Sequence, residues 1–167
     1  MAGKDSGSPF WRFSLAFYRR EGVATASLTL QDHCGVDVNL LLFLLWLAQS
    51  CRCVAADDIA ALDARLGRWR SEVVVPLRSM RRMLKADAPL LAPPQADAFR
   101  DGVKALELEA ERLQQEAMFA AAATLRAQPA TSREEAARAN VGAYQYVKGC
   151  AFDRDALDTL LAEFARL

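Results

Sequence analysis

Apolar residues along this 167-residue chain recur at spacings of three and four, the period of a helix. Nowhere do they alternate with polar residues over six positions, as in a half-buried strand. Ser8-Pro9 opens the first run, with serine placed as an N-cap and proline at the first helical position, where its missing N–H is harmless. A helix from about Pro9 to Arg20 is predicted, with Phe10, Phe13 and Phe17 on one face and Trp11, Leu15 and Tyr18 on the next. Gly22 punctuates, a second helix covers Val23 to His33, and Gly35 suits its left-handed C-terminal cap. Asp37 is placed to cap a third helix, about Val38 to Cys51, which carries nine consecutive apolar residues from Leu40 to Ala48. A membrane-spanning helix needs about 20 mostly apolar residues, and Asp37, Asn39, Gln49 and Arg52 bound this one. It is apolar on every face, which marks a central helix surrounded by others.

Two longer patterns follow. Ile59, Leu62, Leu66, Trp69, Val73, Pro76, Met80 and Met83 alternate at three and four, a heptad seam with Pro76 inside it, where a kink or short break is expected. The segment 86-ADAPLLAPPQA-96 reads as a connector. Phe99, Val103, Leu106, Ala110, Leu113, Ala117 and Ala120 form a second seam, so an antiparallel helix pair is predicted. A parallel two-chain coiled coil is the competing use of either seam, and the small residues Ala110, Ala117 and Ala120 favour packing within the chain. Capping boxes fit at Thr131–Glu134 and Ser132–Glu135, opening a helix that ends near Gly149, and Asp153 caps a last helix. The expected architecture is all-α: a disordered start over residues 1–7, then one bundle of about seven helices over residues 8–167 containing the long antiparallel pair.

Composition narrows the function classes. Basic and acidic side chains balance at 21 each, so only local charge can recruit a charged partner. The opening MAGKDSGSPF has no apolar signal region, so a cytoplasmic location is expected. In that reducing compartment Cys34, Cys51, Cys53 and Cys150 are read as reduced, mostly buried thiols. Cys51 and Cys53 form C-x-C, and His33 is the only histidine, so a zinc site is a weak alternative and no metal or cofactor is assigned. The run 57-DDIAALD-63 has the wrong spacing for a magnesium-binding aspartate motif, because Asp58 and Asp63 do not share a helix face. A di-iron site needs two Glu-x-x-His motifs, and no nucleophile stands with a credible base. No catalytic constellation emerges, and the reading leans away from an enzyme.

The most specific surface feature is basic. Arg78, Arg81, Arg82 and Lys85 form one stripe that the spacing turns away from Met80 and Met83, with Arg65, Arg68 and Arg70 one or two turns earlier. The facing helix is acidic, through Asp97, Asp101, Glu107, Glu109, Glu111 and Glu116. This stripe either pairs internally or docks an acidic protein surface or, less favoured, nucleic acid. A second candidate is a pocket for a small apolar ligand, or an unrecognised enzyme site, near Asp37, Asn39, Trp46 and Trp11. A third is an RNA- or ribosome-associated factor using Arg78 to Lys85. Oligomeric state stays open.

The segments W-R-F-S-L-A-F-Y, L-Q-D-H-C-G-V-D-V-N-L-L-L-F-L-L-W, W-R-S-E-V-V-V-P-L-R-S-M-R-R-M-L-K and E-L-E-A-E-R (107–112) resemble a family of proteobacterial proteins defined as a domain of unknown function. The resemblance implies a small cytosolic helical protein of about this length, and carries over no activity, substrate or catalytic residue. Trp11, Asp37, Asn39, Trp46, Arg78, Arg81, Arg82, Lys85, Glu107 and Glu111 fall within the matching segments.

Overall fold

The computed structural model describes residues 7–86 and 90–167. The expected disordered start therefore lies outside the described residues, apart from Gly7. The described chain is an all-α bundle with one very small sheet. Its elements are α1 (Pro9–Tyr18), α2 (Val23–Cys34), α3 (Val38–Ala48), β1 (Arg52–Val54), α4 (Ala56–Trp69), a π-helical turn (Arg70–Val74), α5 (Val75–Ala86), α6 (Pro93–Ala121), β2 (Ala127–Pro129), α7 (Arg133–Lys148) and α8 (Arg154–Ala165). Taking α4, the π turn and α5 as one uninterrupted helix leaves seven helices among the described residues, the expected number.

The caps explain the boundaries. Ser8 Oγ accepts the Trp11 N–H at 3.1 Å, and Pro9 begins α1. Gly35 (φ 59°) and Gly149 (φ 60°) close α2 and α7 in the left-handed region, where a side chain would be strained. Asp37, Ser132 and Asp153 each accept an N–H in the first turn of α3, α7 and α8. Pro93 and Pro94 start α6 inside the expected connector, because the first turn of a helix tolerates proline.

One expectation fails after α3, which ends at Ala48 rather than Cys51. Cys51 turns the chain at φ 54°, and Arg52–Val54 pairs antiparallel with Ala127–Pro129, Cys53 opposite Gln128. A three-residue strand is too short to show alternation, so the pattern hid it.

The described residues group into two compact units, residues up to Asp63 with Gln115–Leu167, and Ala64–Gln114. In the larger unit α3 is the axis. Leu40, Leu41, Phe43, Leu44, Leu45 and Ala48 are wholly buried, as the all-round apolar pattern requires. Helices α1 and α7 and strand β1 pack on α3, while α2 packs on α8. Each Leu or Phe removed from water contributes roughly 1.5–3 kcal/mol, and α3 buries more apolar side chains than any other helix of this unit among the described residues. A polar residue that periodicity did not single out locks the axis in place. Asn140 of α7 is fully buried; its Nδ2 donates to the Leu44 and Arg52 carbonyls at 3.0 and 2.9 Å, and its Oδ1 accepts the Val54 N–H at 2.8 Å.

The reading of four reduced thiols is corrected. Cys34, at the end of α2, and Cys150, just beyond α7, are joined by a disulfide across 116 residues of sequence, with Cα atoms 5.8 Å apart. Each cysteine adjoins a capping glycine, Gly35 or Gly149, and the two helix ends meet. Cys51 and Cys53 are half-buried and free. Burial pushes the Cys53 thiol pKa up, and Glu135 and Cys51 add to it.

In the smaller unit the π turn decides which residues face inward. Its Val75 N–H bonds to the Arg70 carbonyl, five residues back instead of four. One extra residue per turn advances the inward face by one position. Of the expected seam, Val73 stays half-buried, but Pro76, Met80 and Met83 give way to Val74, Leu77, Arg81 and Leu84, which are buried or half-buried. Met80 and Met83 point outward, 43% and 50% exposed. The break expected at Pro76 is therefore this turn, placed just before the proline. On the part of α6 within the smaller unit the buried positions are Ala96, Val103, Glu107, Ala110 and Gln114, whereas Phe99, Leu106 and Leu113 of the expected seam are exposed.

Candidate functional site

The basic stripe is split by the π turn. Arg78 and Arg81, brought to the inward side of α5, meet the acidic face of α6. Arg78 Nε donates to Glu107 Oε1 at 3.1 Å and its Nη2 to Glu111 Oε1 at 2.7 Å. Arg81 holds Glu107 through both Nε and Nη2, the latter at 3.2 Å. Glu107 is buried and carries hydrogen bonds from two guanidinium groups. Burial alone would raise its pKa; the hydrogen bonds from Arg81 and then Arg78, with their charges, outweigh burial and hold the carboxyl below the usual range. The same hydrogen bond raises Arg81. More than two turns before Arg78, Trp69 Nε1 donates to the carbonyl of Ala110, which lies between Glu107 and Glu111, at 3.1 Å.

Arg82 and Lys85 are exposed near the C-terminal end of α5. There the helix dipole favours cations. Arg68, in α4, pairs with Glu72 at 3.0 Å on the exposed surface. The stripe as a whole is therefore not a free basic face: Arg78 and Arg81 lie against carboxylates, while Arg82 and Lys85 face solvent.

The polar groups near the start of α3 have internal partners. Asp37 Oδ1 accepts the N–H groups of Asn39 and Leu40 at 2.9 and 3.3 Å, and the Asp37 N–H donates to the buried Tyr144 hydroxyl at 2.9 Å. Asn39 Oδ1 accepts from Gln115 Nε2 at 2.7 Å, and Gln115 Oε1 accepts from Ser14 Oγ at 2.6 Å. Trp46 lies among the rings of Phe10, Phe43 and Phe119. Trp11 is buried in α1. Asp37 and Asn39 thus engage hydrogen-bond partners within the chain, Trp46 belongs to an aromatic cluster, and Trp11 is buried. An open cavity of about 300 Å³ lies elsewhere in this unit, lined by Ser50, Cys51, Arg52, Leu125 and Ala127–Pro129. Arg52 Nη2 crosses from it to the Ala122 and Leu125 carbonyls at 2.8 and 3.2 Å, satisfying the end of α6.

A family model described as "Protein of unknown function (DUF2390)" matches residues 9–118, well over half of the chain. The chain belongs to this family. The DUF2390 segment runs from the first residue of α1 into the last turns of α6, so it includes the whole Arg78–Arg81–Glu107–Glu111 cluster and the apolar axis α3. It stops before β2, α7 and α8, so Asn140 and Cys150 lie outside the matched residues. The family resemblance read from the sequence segments is thereby established. Neither the curated proteins nor the solved structures contain a match to this chain. No helix among the described residues is long and apolar enough to cross a membrane.

Proposed function

We propose that this DUF2390 protein is a non-enzymatic binding or adaptor protein that docks an acidic protein surface through the basic end of α5. The observation that carries this reading is the division of the stripe. Arg78 and Arg81 are positioned on Glu107 and Glu111, which fixes α5 against α6, while Arg82 and Lys85 present their charge to solvent at the helix end. A cation held on a rigid helix recruits an acidic partner at lower entropic cost than one on a loop. In this reading Arg78 and Arg81 are positioning residues, and Asp37, Asn39, Trp46 and Trp11 belong to the architecture. A cytoplasmic location is part of the proposal. A reducing cytosol keeps most cysteine pairs as thiols, so there the Cys34–Cys150 bond would mark oxidising conditions.

The test is affinity purification from native cytosol with and without nuclease, using the wild type and a double charge reversal, Arg82→Glu with Lys85→Glu. Protein partners should survive nuclease and be lost from the reversal variant at unchanged helicity. Retention of every partner by that variant would remove the docking role from the helix end. Partners lost only on nuclease treatment would favour the RNA-associated reading.

A further inference from the structure

A different surface of the smaller unit carries a second inference. Helix α6 bears two neighbouring heptad lines. The inner one, Ala96, Val103 and Ala110, is buried, and the outer one, Phe99, Leu106 and Leu113, is exposed by 54%, 60% and 45%. This inverts the ordinary preference, since the small side chains are inside and the large apolar ones are in water. Helical geometry places Ala98, Gly102 and Ala105 along the same outer side, all exposed, with Asp97, Asp101 and Lys104 turned to other faces. Glu109 borders the line already paired with Arg112 at 2.6 Å. Gly102 sits mid-helix between Phe99 and Leu106 without positive φ, and a Cβ there would meet nothing within 4 Å. Neither a turn nor a neighbour among the described residues requires glycine at that point.

We propose that this outer line is a homodimer seam, occupied by α6 of a second copy running antiparallel. Two features favour a second copy. First, the line is self-complementary: with the two-fold axis between Gly102 and Leu106, Leu106 of each copy fills the open space over Gly102 of the other. Second, its size fits. At roughly 200 Å² for a fully exposed side chain of this class, the exposed fractions of the three large residues leave about 300 Å² of apolar surface per copy. With Ala98, Gly102 and Ala105 this approaches the apolar share of an interface of roughly 800 Å² per partner. The 21 acidic and 21 basic side chains cancel, so two copies meet without net repulsion.

Sedimentation equilibrium of the full chain tests this, since the protomer is 18.4 kDa. The wild type should dimerise with a dissociation constant in the micromolar range. Leu106→Glu should weaken the dimer about 100-fold or more, by placing a charge in the seam. Gly102→Leu should weaken it about tenfold or more while helicity, read by circular dichroism, is kept or raised, because the monomer has room for the side chain. Leu108→Glu, on another exposed side of α6, should leave the dimer unchanged. A wild type that stays monomeric to about 100 μM, a hundredfold above a micromolar constant, would overturn the proposal. So would a dimer that survives both seam substitutions, or one that Leu108→Glu disrupts equally.

Discussion

The Cys34–Cys150 bond offers the sharpest quantitative test. Removing it by reduction, or by Cys34→Ser with Cys150→Ser, frees a loop of 116 residues in the unfolded chain. The chain-entropy relation then predicts a loss of about 5 kcal/mol at 25 °C. That is a large share of the roughly 5–15 kcal/mol that holds a domain folded. For a chain of this size it corresponds to about 10–20 °C in Tm. Both cysteines are half-buried, so serine at either site creates no large cavity and the lost cross-link dominates. The bond lies wholly in the larger unit, and the probe should report that unit alone. In a Trp69→Phe background, Trp11 and Trp46 are the remaining tryptophans, and both belong to the larger unit. Urea unfolding followed by their fluorescence, oxidised against reduced, measures the difference directly. A non-reducing digest that recovers Cys34 and Cys150 unlinked after aerobic purification would refute the pairing. Equal urea midpoints for the verified disulfide and the reduced protein would refute the loop-entropy reasoning.

Three further outcomes are expected. Asn140→Ala should destabilise the larger unit by about 3–5 kcal/mol in urea unfolding, because it orphans the Val54 N–H and leaves a cavity beside the Leu44 and Arg52 carbonyls. Ser27→Ala should be neutral or stabilise by about 1 kcal/mol in the same assay, since the fully buried Ser27 Oγ has no hydrogen-bond partner among the described residues. For Glu107 the folded-state pKa is depressed, so its contribution is present above the ordinary carboxylate range and is lost as pH falls through the lower folded value. Glu107→Gln should therefore lower stability at neutral pH and flatten its acid limb; an unchanged pH profile by circular dichroism would contradict the buried ion-pair network.

Much of the fold was legible because it is written in local chemistry. Ser8, Gly35, Asp37, Ser132, Gly149 and Asp153 act on backbone groups within a few residues of themselves, so their roles follow from position along the chain. The burial of α3 follows as well, because a helix apolar on all sides has no face to give to water. The candidate site was legible only in its composition. Arg78, Arg81, Glu107 and Glu111 stood out as charges on two facing helices, but their meeting depends on the phase of α5.

That phase is where tertiary structure takes over. A heptad pattern assumes 3.5 residues per turn throughout, and the single extra residue of the π turn at Arg70–Val74 rotates everything after it. Met80 and Met83 go out and Arg81 goes in, although no residue type in the segment announces the change. Asn140 and the Cys34–Cys150 pair are decided in the same way, by partners 86 to 116 positions away. The amino-acid order alone determined helix identity, the helix ends capped by Ser8, Gly35, Asp37, Ser132, Gly149 and Asp153, and the all-round burial of α3, because these depend on neighbours within a turn. Only the folded chain decided which stripe of each long helix is buried, which cations face solvent and which cysteines meet, because these depend on the accumulated rotation and on groups distant in sequence.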